Sequence, residues 1–163
     1  MNERVQRIKF VLTDCDGVLT DAGVYYSSQG EEMKRFSIRD GMGVERLRKL
    51  IDVPTGIITG ETSGSVVRRA EKLKIKELHL GIKDKPPVFQ DILQRHNLKA
   101  EEVAYIGDDV NDLEVLRMAG FAACPADALP AVRNCVHYVC KSPGGHGAFR
   151  ELAELIIDSR SGE

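Results

Sequence analysis

The sequence predicts an α/β fold, a parallel sheet with helices on both faces plus a small β-hairpin. Two observations predict it. Short apolar, β-rich runs alternate with stretches of helical periodicity along most of the chain, the pattern of a parallel sheet joined by crossover helices. The main runs are also nearly continuous in apolar character, as strands buried on both faces require. A third observation bears on function. Three of the runs lead directly into Asp or Thr-Gly motifs, which places those motifs beyond the carboxyl ends of strands, where such sheets bind ligands.

The first strand is read at Ile8–Thr13 and ends at Asp14. Val24–Tyr26 and Arg35–Ile38 flank the polar turn Ser27-Ser28-Gln29-Gly30-Glu31-Glu32, as the arms of a hairpin with a longer loop would, and this flap occupies residues 23–38. From Gly41 to Ile51, Val44, Leu47, Leu50 and Ile51 recur at helical spacing, and Pro54 then precedes the strand Gly56-Ile57-Ile58. A helix follows over Gly64–Leu73, a short strand near Leu78–Leu80, a helix from Pro86 to His96, and a strand at Val103–Ile106. The remainder reads as a helix over Asn111–Ala119, a strand at Phe121–Cys124, a short helix near Leu129–Asn134, a strand at His137–Val139 and a helix over Ala148–Ile157. The longest irregular stretch, Lys141–Gly147, is too short for a linker, so the 163 residues read as one domain able to bury its own core.

Composition narrows the function classes. With 42% hydrophobic and 29% charged residues the chain is an ordinary globular one, and 23 Lys plus Arg against 25 Asp plus Glu leave no net field for a polyanion, so no nucleic acid partner is expected. Residues 1–9 carry charges without the apolar segment of a signal peptide, and no run approaches the roughly 18 apolar residues of a membrane span. The expectation is a cytoplasmic protein without a membrane partner. Cys15, Cys124, Cys135 and Cys140 form no C-x-x-C pair and have no matching His spacing, so packed, reduced thiols are expected.

The chemistry concentrates in four segments. Asp14 and Asp16 stand two apart just past a buried strand, where both carboxyl groups can turn toward one pocket. Such a pair can supply a nucleophile that attacks phosphorus, here Asp14, and an acid–base group that protonates the leaving oxygen, here Asp16. Alone, Asp-x-Asp-Gly reads equally well as a polar turn. Asp108, Asp109 and Asp112 open a helix, where acids also complement the helix dipole. Facing Asp14, they would repel unless a hard cation lay among them, which points to Mg²⁺. Asp14 and Asp108 are the expected ligands with the carbonyl of Asp16, and Asp109 or Asp112 lies behind them. Thr59 and Lys85 can meet the phosphoryl oxygens, although a solvated lysine is the commoner case for any one Lys.

The ordered set Asp14-x-Asp16, Thr59-Gly60, Lys85 and Gly107-Asp108-Asp109-x-x-Asp112 resembles the four motifs of the haloacid dehalogenase superfamily. Asp14–Asp21, Arg39-Asp40-Gly41, Ile58-Thr59-Gly60, Tyr105–Asp109 and Gly144–Ala148 look like its branch acting on 3-deoxy-2-keto sugar acid phosphates, over nearly the whole chain. That branch includes 3-deoxy-D-manno-octulosonate 8-phosphate phosphatases and phosphatases of nine-carbon sialic-acid-type 9-phosphates. The resemblance implies a Rossmann-like core, Mg²⁺, an aspartyl-phosphate intermediate and a homotetramer. Between Asp16 and Thr59 there is room only for the flap and one helix, not a cap domain, and in the resembling branch neighbouring subunits close the pocket. Tyr25, Tyr26 and Phe36 would then lie in a subunit contact or pack on their own core.

The resemblance divides on the substrate. Glu61, Arg69 and Lys72 match the substrate-recognising pattern of the nine-carbon branch, whereas Arg39-Asp40-Gly41 reads like the octulosonate branch. Gly60 belongs to the same recognition loop, and Arg150 is a candidate for the substrate carboxylate. Arg69 and Lys72 read equally as part of a solvated helix face. Gly144-Gly145-His146-Gly147 is either a mobile segment covering a neighbour's pocket or a turn leading into a helix. Octulosonate 8-phosphate hydrolysis is the leading expectation. A nine-carbon phosphatase, a broad-range metabolite phosphatase and a noncatalytic oligomerisation module are the alternatives.

Overall fold

The computed structural model describes residues 2–160. In chain order its elements are α1 (Asn2–Gln6), β1 (Phe10–Thr13), β2 (Tyr25–Ser27), β3 (Gly30–Met33), α2 (Ile38–Ile51), β4 (Thr55–Ile58) and α3 (Gly64–Leu73). There follow β5 (Glu77–His79), α4 (Lys85–Arg95), β6 (Val103–Ile106), α5 (Leu113–Met118), β7 (Phe121–Cys124), α6 (Pro130–Arg133), β8 (Tyr138–Val139) and α7 (Ala148–Arg160). Six strands form one sheet in the order β5-β4-β1-β6-β7-β8, and every pair is parallel. The α/β expectation is therefore met.

Successive strand residues point to opposite faces, and in β1 both faces are covered. Val11 joins the layer under α1, α2, α3 and α7, whereas Phe10 and Leu12 join the layer under α4, α5 and α6. Every residue of β1, β4, β6 and β7 is buried, and a fully buried large apolar side chain contributes about 1.5–3 kcal/mol. This explains why the central strands lack polar alternation. From β1 the sheet grows one way through β4 and β5 and the other way through β6, β7 and β8. The carboxyl ends of β1, β4 and β6 thus border the crevice where the winding reverses.

Four elements differ from the sequence expectation. The second arm of the hairpin is Gly30–Met33 rather than Arg35–Ile38, with Tyr26 opposite Glu31 and Ser27 opposite Gly30. Both arms are largely exposed, so no apolar alternation marked the pairing, and the turn with Gly30 at φ +105° set it. Helix α2 starts at Ile38 rather than Gly41, because Ser37 is extended and its hydroxyl accepts from the Asp40 amide at 3.4 Å. The stretch expected as one helix from Asn111 opens as a 3₁₀ turn over Val110–Asp112 before α5. Helix α1 was not anticipated; its Val5 is buried, and Gln6 donates to the carbonyl of Ser159 in α7 at 2.9 Å. The remaining boundaries shift by a few residues at most.

Tyr25 and Tyr26 are 63% and 70% exposed on the hairpin, whereas Phe36 is half-buried against the core. The four cysteines are free thiols. No helix among the described residues is long and apolar enough to cross a membrane.

Candidate active site

The sheet delivers the motif residues to one place. Asp14 leaves β1 with its amide bonded to the Ile106 carbonyl of β6 at 3.0 Å, which ties the first acid to the strand that carries the second acidic cluster. Its carboxylate accepts from the Cys15 amide at 2.8 Å. Gly17 lets the loop pass close by: it adopts φ +83°, and a Cβ there would overlap the Asp108 carboxylate. Asp14, Asp16, Thr59, Gly60, Glu61, Asp108 and Asp109 all border one cleft of about 220 Å³.

Lys85 is the first residue of α4 and fully buried, an unfavourable place for a cation at the positive end of a helix. Acids account for it. Its ammonium lies 3.1 Å from Asp14 Oδ1 and 2.7 Å from Asp112 Oδ1, and it donates to the Tyr105 hydroxyl at 3.2 Å. Asp112 also accepts from Tyr105 at 2.7 Å and, through Oδ2, from the amides of Asp108 and Asp109 at 3.1 and 3.4 Å. Both Asp112 oxygens are therefore engaged, and this arrangement orients Lys85 and the 108–109 turn. Thr59 is buried, receives the Glu61 amide on its hydroxyl at 3.2 Å, and donates its own amide to the His79 carbonyl at 2.9 Å. Asp109 Oδ1 accepts from the Val110 amide at 2.6 Å.

One oxygen each of Asp14, Asp108 and Asp112 lies within 4.8 Å of the others, a grouping that can hold a metal ion. The electrostatics are unbalanced without one. Burial, then the Asp112 carboxylate, pushes the Asp14 carboxyl well above its ordinary range despite Lys85. Burial, then Asp112 and Asp109, raises Asp108 to about 7. Asp108 Oδ1 is buried with no hydrogen-bond partner, which is costly unless something completes it. An all-oxygen donor set with an orphaned carboxylate oxygen fits a hard divalent cation.

Four sequence candidates lie outside this cleft within one chain. Arg69 donates to the Ser37 carbonyl at 2.9 Å and sits over the Phe36 ring at 5.6 Å, and Lys72 is exposed farther along α3. Arg39 is exposed on α2, and Arg150 pairs with Glu154 at 2.6 Å. Gly144–Gly147 forms a turn leading into α7. Gly145 donates to the Val18 carbonyl at 2.8 Å, Gly147 to Asp40 at 3.2 Å, and a Cβ on Gly144 would overlap the Gly17 carbonyl. The buried Asp40 also accepts from the Arg150 amide at 3.0 Å, so it caps α7 from another helix. Sequence reasoning missed this cap, the Tyr105 hydroxyl and Lys34, whose ammonium contacts both Asp16 oxygens. Nothing local marks Lys34, and Tyr105 was hidden in an apolar strand.

Fold and cleft together define an α/β protein whose parallel sheet carries, at its winding switch, an acidic crevice able to hold a divalent cation. The chain belongs to the haloacid dehalogenase-like hydrolase family, whose model matches residues 31–120. More particularly, it is 38% identical over 160 residues to the 3-deoxy-D-manno-octulosonate 8-phosphate phosphatase of Haemophilus influenzae, covering 98% of this chain and 88% of that protein. The cobalt-bound form of the Haemophilus influenzae phosphatase matches with a TM-score of 0.94 at 38% identity, over 97% of this chain and 92% of that one. The Moraxella catarrhalis phosphatase, in complex with magnesium ion, phosphate ion and KDO, matches with a TM-score of 0.95 at 34% identity, over 98% and 91% of the two chains.

Proposed function

We propose that this chain hydrolyses the terminal phosphate monoester of 3-deoxy-D-manno-octulosonate 8-phosphate. The observation that carries the phosphatase reading is the convergence of Asp14, Asp108 and Asp112 around the buried Lys85, with one Asp108 oxygen unpartnered. The substrate follows from near-full-length similarity to phosphatases of that compound.

Asp14 attacks phosphorus; the bond from phosphorus to the alkyl oxygen breaks and an aspartyl-phosphate forms. Asp16, which borders the same cleft, gives its proton to the departing oxygen. It then takes one from the water that attacks the aspartyl-phosphate, releasing phosphate and restoring Asp14. Lys85, held by Asp112 and Tyr105, offsets charge on the phosphoryl oxygens, and the Thr59 hydroxyl donates to them. The carboxylates of Asp14 and Asp108, with the Asp16 carbonyl, would hold Mg²⁺, which supplies charge neutralisation and orients phosphate oxygens when bound.

A homotetramer in the cytoplasm completes this reading. The exposed Tyr25 and Tyr26 then lie in a subunit contact, and Arg39, Arg69, Lys72 or Arg150 reaches a neighbour's cleft rather than its own. Glu61 at the cleft edge favours a second reading, a nine-carbon sugar acid 9-phosphate. A panel of the eight-carbon 8-phosphate, a sialic-acid-type 9-phosphate and simple sugar phosphates decides between them. The expected result is the highest kcat/KM on the eight-carbon ester and a loss of about 10³-fold or more in Asp14→Asn. Equal rates across the panel indicate a broad-range phosphatase, and no turnover at all indicates a noncatalytic module.

A further inference from the structure

Lys34 follows β3 on the flap, and its ammonium lies 2.7 and 2.8 Å from the two carboxylate oxygens of Asp16. The Lys34 side chain is 2% exposed. The same ammonium is 3.5 Å from Glu31 Oε1, and Glu31 Oε2 accepts from the Ser63 hydroxyl at 2.5 Å. Ser63 occupies the N-cap position of α3, yet its side chain caps nothing there; it is committed to the flap instead. A continuous polar chain, Asp16–Lys34–Glu31–Ser63, therefore joins the loop after β1 to the loop after β4 through the hairpin.

An ion pair whose carboxylate is still 26% exposed adds little to the stability of a fold, because water screens it. It is a good device for fixing a direction. Besides Lys34, the only side chain in hydrogen-bond contact with the Asp16 carboxylate among the described residues is Thr20, whose hydroxyl is at 3.4 Å. Without Lys34, Asp16 has little to hold it facing the cleft, and general base catalysis depends on a carboxylate held within reach of the proton it takes.

We infer that Lys34 is a positioning residue: it holds the Asp16 carboxylate in the orientation in which it takes a proton from the attacking water, and through Glu31 and Ser63 it makes that orientation depend on a seated flap. The inference rests on the acid–base role given to Asp16 above.

A double-mutant cycle in the magnesium-loaded full chain tests it, with the eight-carbon 8-phosphate or whichever ester of the panel is turned over best. Lys34→Met is expected to lower kcat about 10–100-fold while KM changes less than about 3-fold. In an Asp16→Asn background the same change is expected to cost less than about 2-fold, since nothing is left to position. Lys34→Arg, which keeps two donors, is expected to restore part of the activity. Should Lys34→Met not fold, Lys34→Gln takes its place in the cycle. Equal losses in both backgrounds, a loss confined to KM, or no loss overturns the inference while leaving the phosphatase reading intact. A wild-type protein inert toward every phosphate ester overturns both.

Discussion

Two charged clusters sit at different places on the sheet, and they differ in how fully their carboxylates are partnered. Glu77 opens β5 and is a single carboxylate with three partners: Arg95 at 2.5 and 3.0 Å, His96 at 2.6 Å and His79 at 2.8 Å. The Arg95 hydrogen bonds, with help from the two imidazoles, hold its carboxyl well below the ordinary range. At the carboxyl ends of β1 and β6, Asp14 and Asp112 share the Lys85 ammonium with Asp108 close by, and burial and mutual repulsion push Asp14 and Asp108 upward. The first cluster is complete within the chain; the second is not. A fully partnered carboxylate fastens α4 to β5, whereas crowded carboxylates with an orphaned oxygen mark a place for something from outside the chain.

The largest effect that sharpens this contrast comes from the metal. Chelation is expected to abolish phosphate release, and added Mg²⁺ to restore it and raise the melting temperature. At about 100 times its dissociation constant the ion contributes roughly 2.7 kcal/mol to stability. Asp108→Asn is expected to remove that thermal response while making the metal-free protein more stable, by about 1–2 kcal/mol near neutral pH. The sign follows from the raised carboxyl. Between the unfolded value of about 3.9 and the folded value of about 7, the folded chain binds more protons, so metal-free stability falls as pH rises through that window. Asp108→Asn removes the Asp108 share of this slope and leaves that of Asp14, whose carboxyl is raised as well, and thermal melts across pH in chelator measure the difference. An Asp108→Asn protein less stable than wild type without metal would break the comparison.

Glu77→Gln is expected to do the reverse, at smaller scale. Loss of a charged acceptor costs about 1–3 kcal/mol of stability and leaves kcat unchanged. Because the Glu77 carboxyl is lowered in the folded chain, its contribution is fully present above the unfolded value of about 4.3 and declines as pH falls below it. Urea melts of the two proteins should therefore converge in acid.

The residues of the cleft were legible because each is tied to a strand end. A buried run of Val, Ile or Leu announces itself, and Asp14, Thr59 and Asp108 follow such runs within one or two positions, so the parallel sheet alone brings them to a common edge. Lys85 was legible because a cation at a helix start conflicts with the dipole. Lys34 carried no such sign. It lies between Met33 and Arg35 on the flap, and its partner Asp16 is 18 positions away with no regular element linking their separation. Asp40 entered only as the middle of Arg39-Asp40-Gly41, yet it is buried beneath the first amides of α7, more than a hundred positions distant. The hairpin register was missed for a related reason: exposed strands record their turn, not a core.

By itself the sequence determined the class of fold, the order of most elements, the acids and hydroxyl at the strand ends and the ammonium at a helix start, because burial imposes periodicity on every segment it touches. Only the tertiary structure decided which groups meet: Lys85 with Asp14 and Asp112, Lys34 with Asp16, and the turn at Gly144 against the loop at Gly17. Charged and polar contacts across long separations leave no local pattern, since their energy depends on three-dimensional distance and burial rather than on neighbours along the chain.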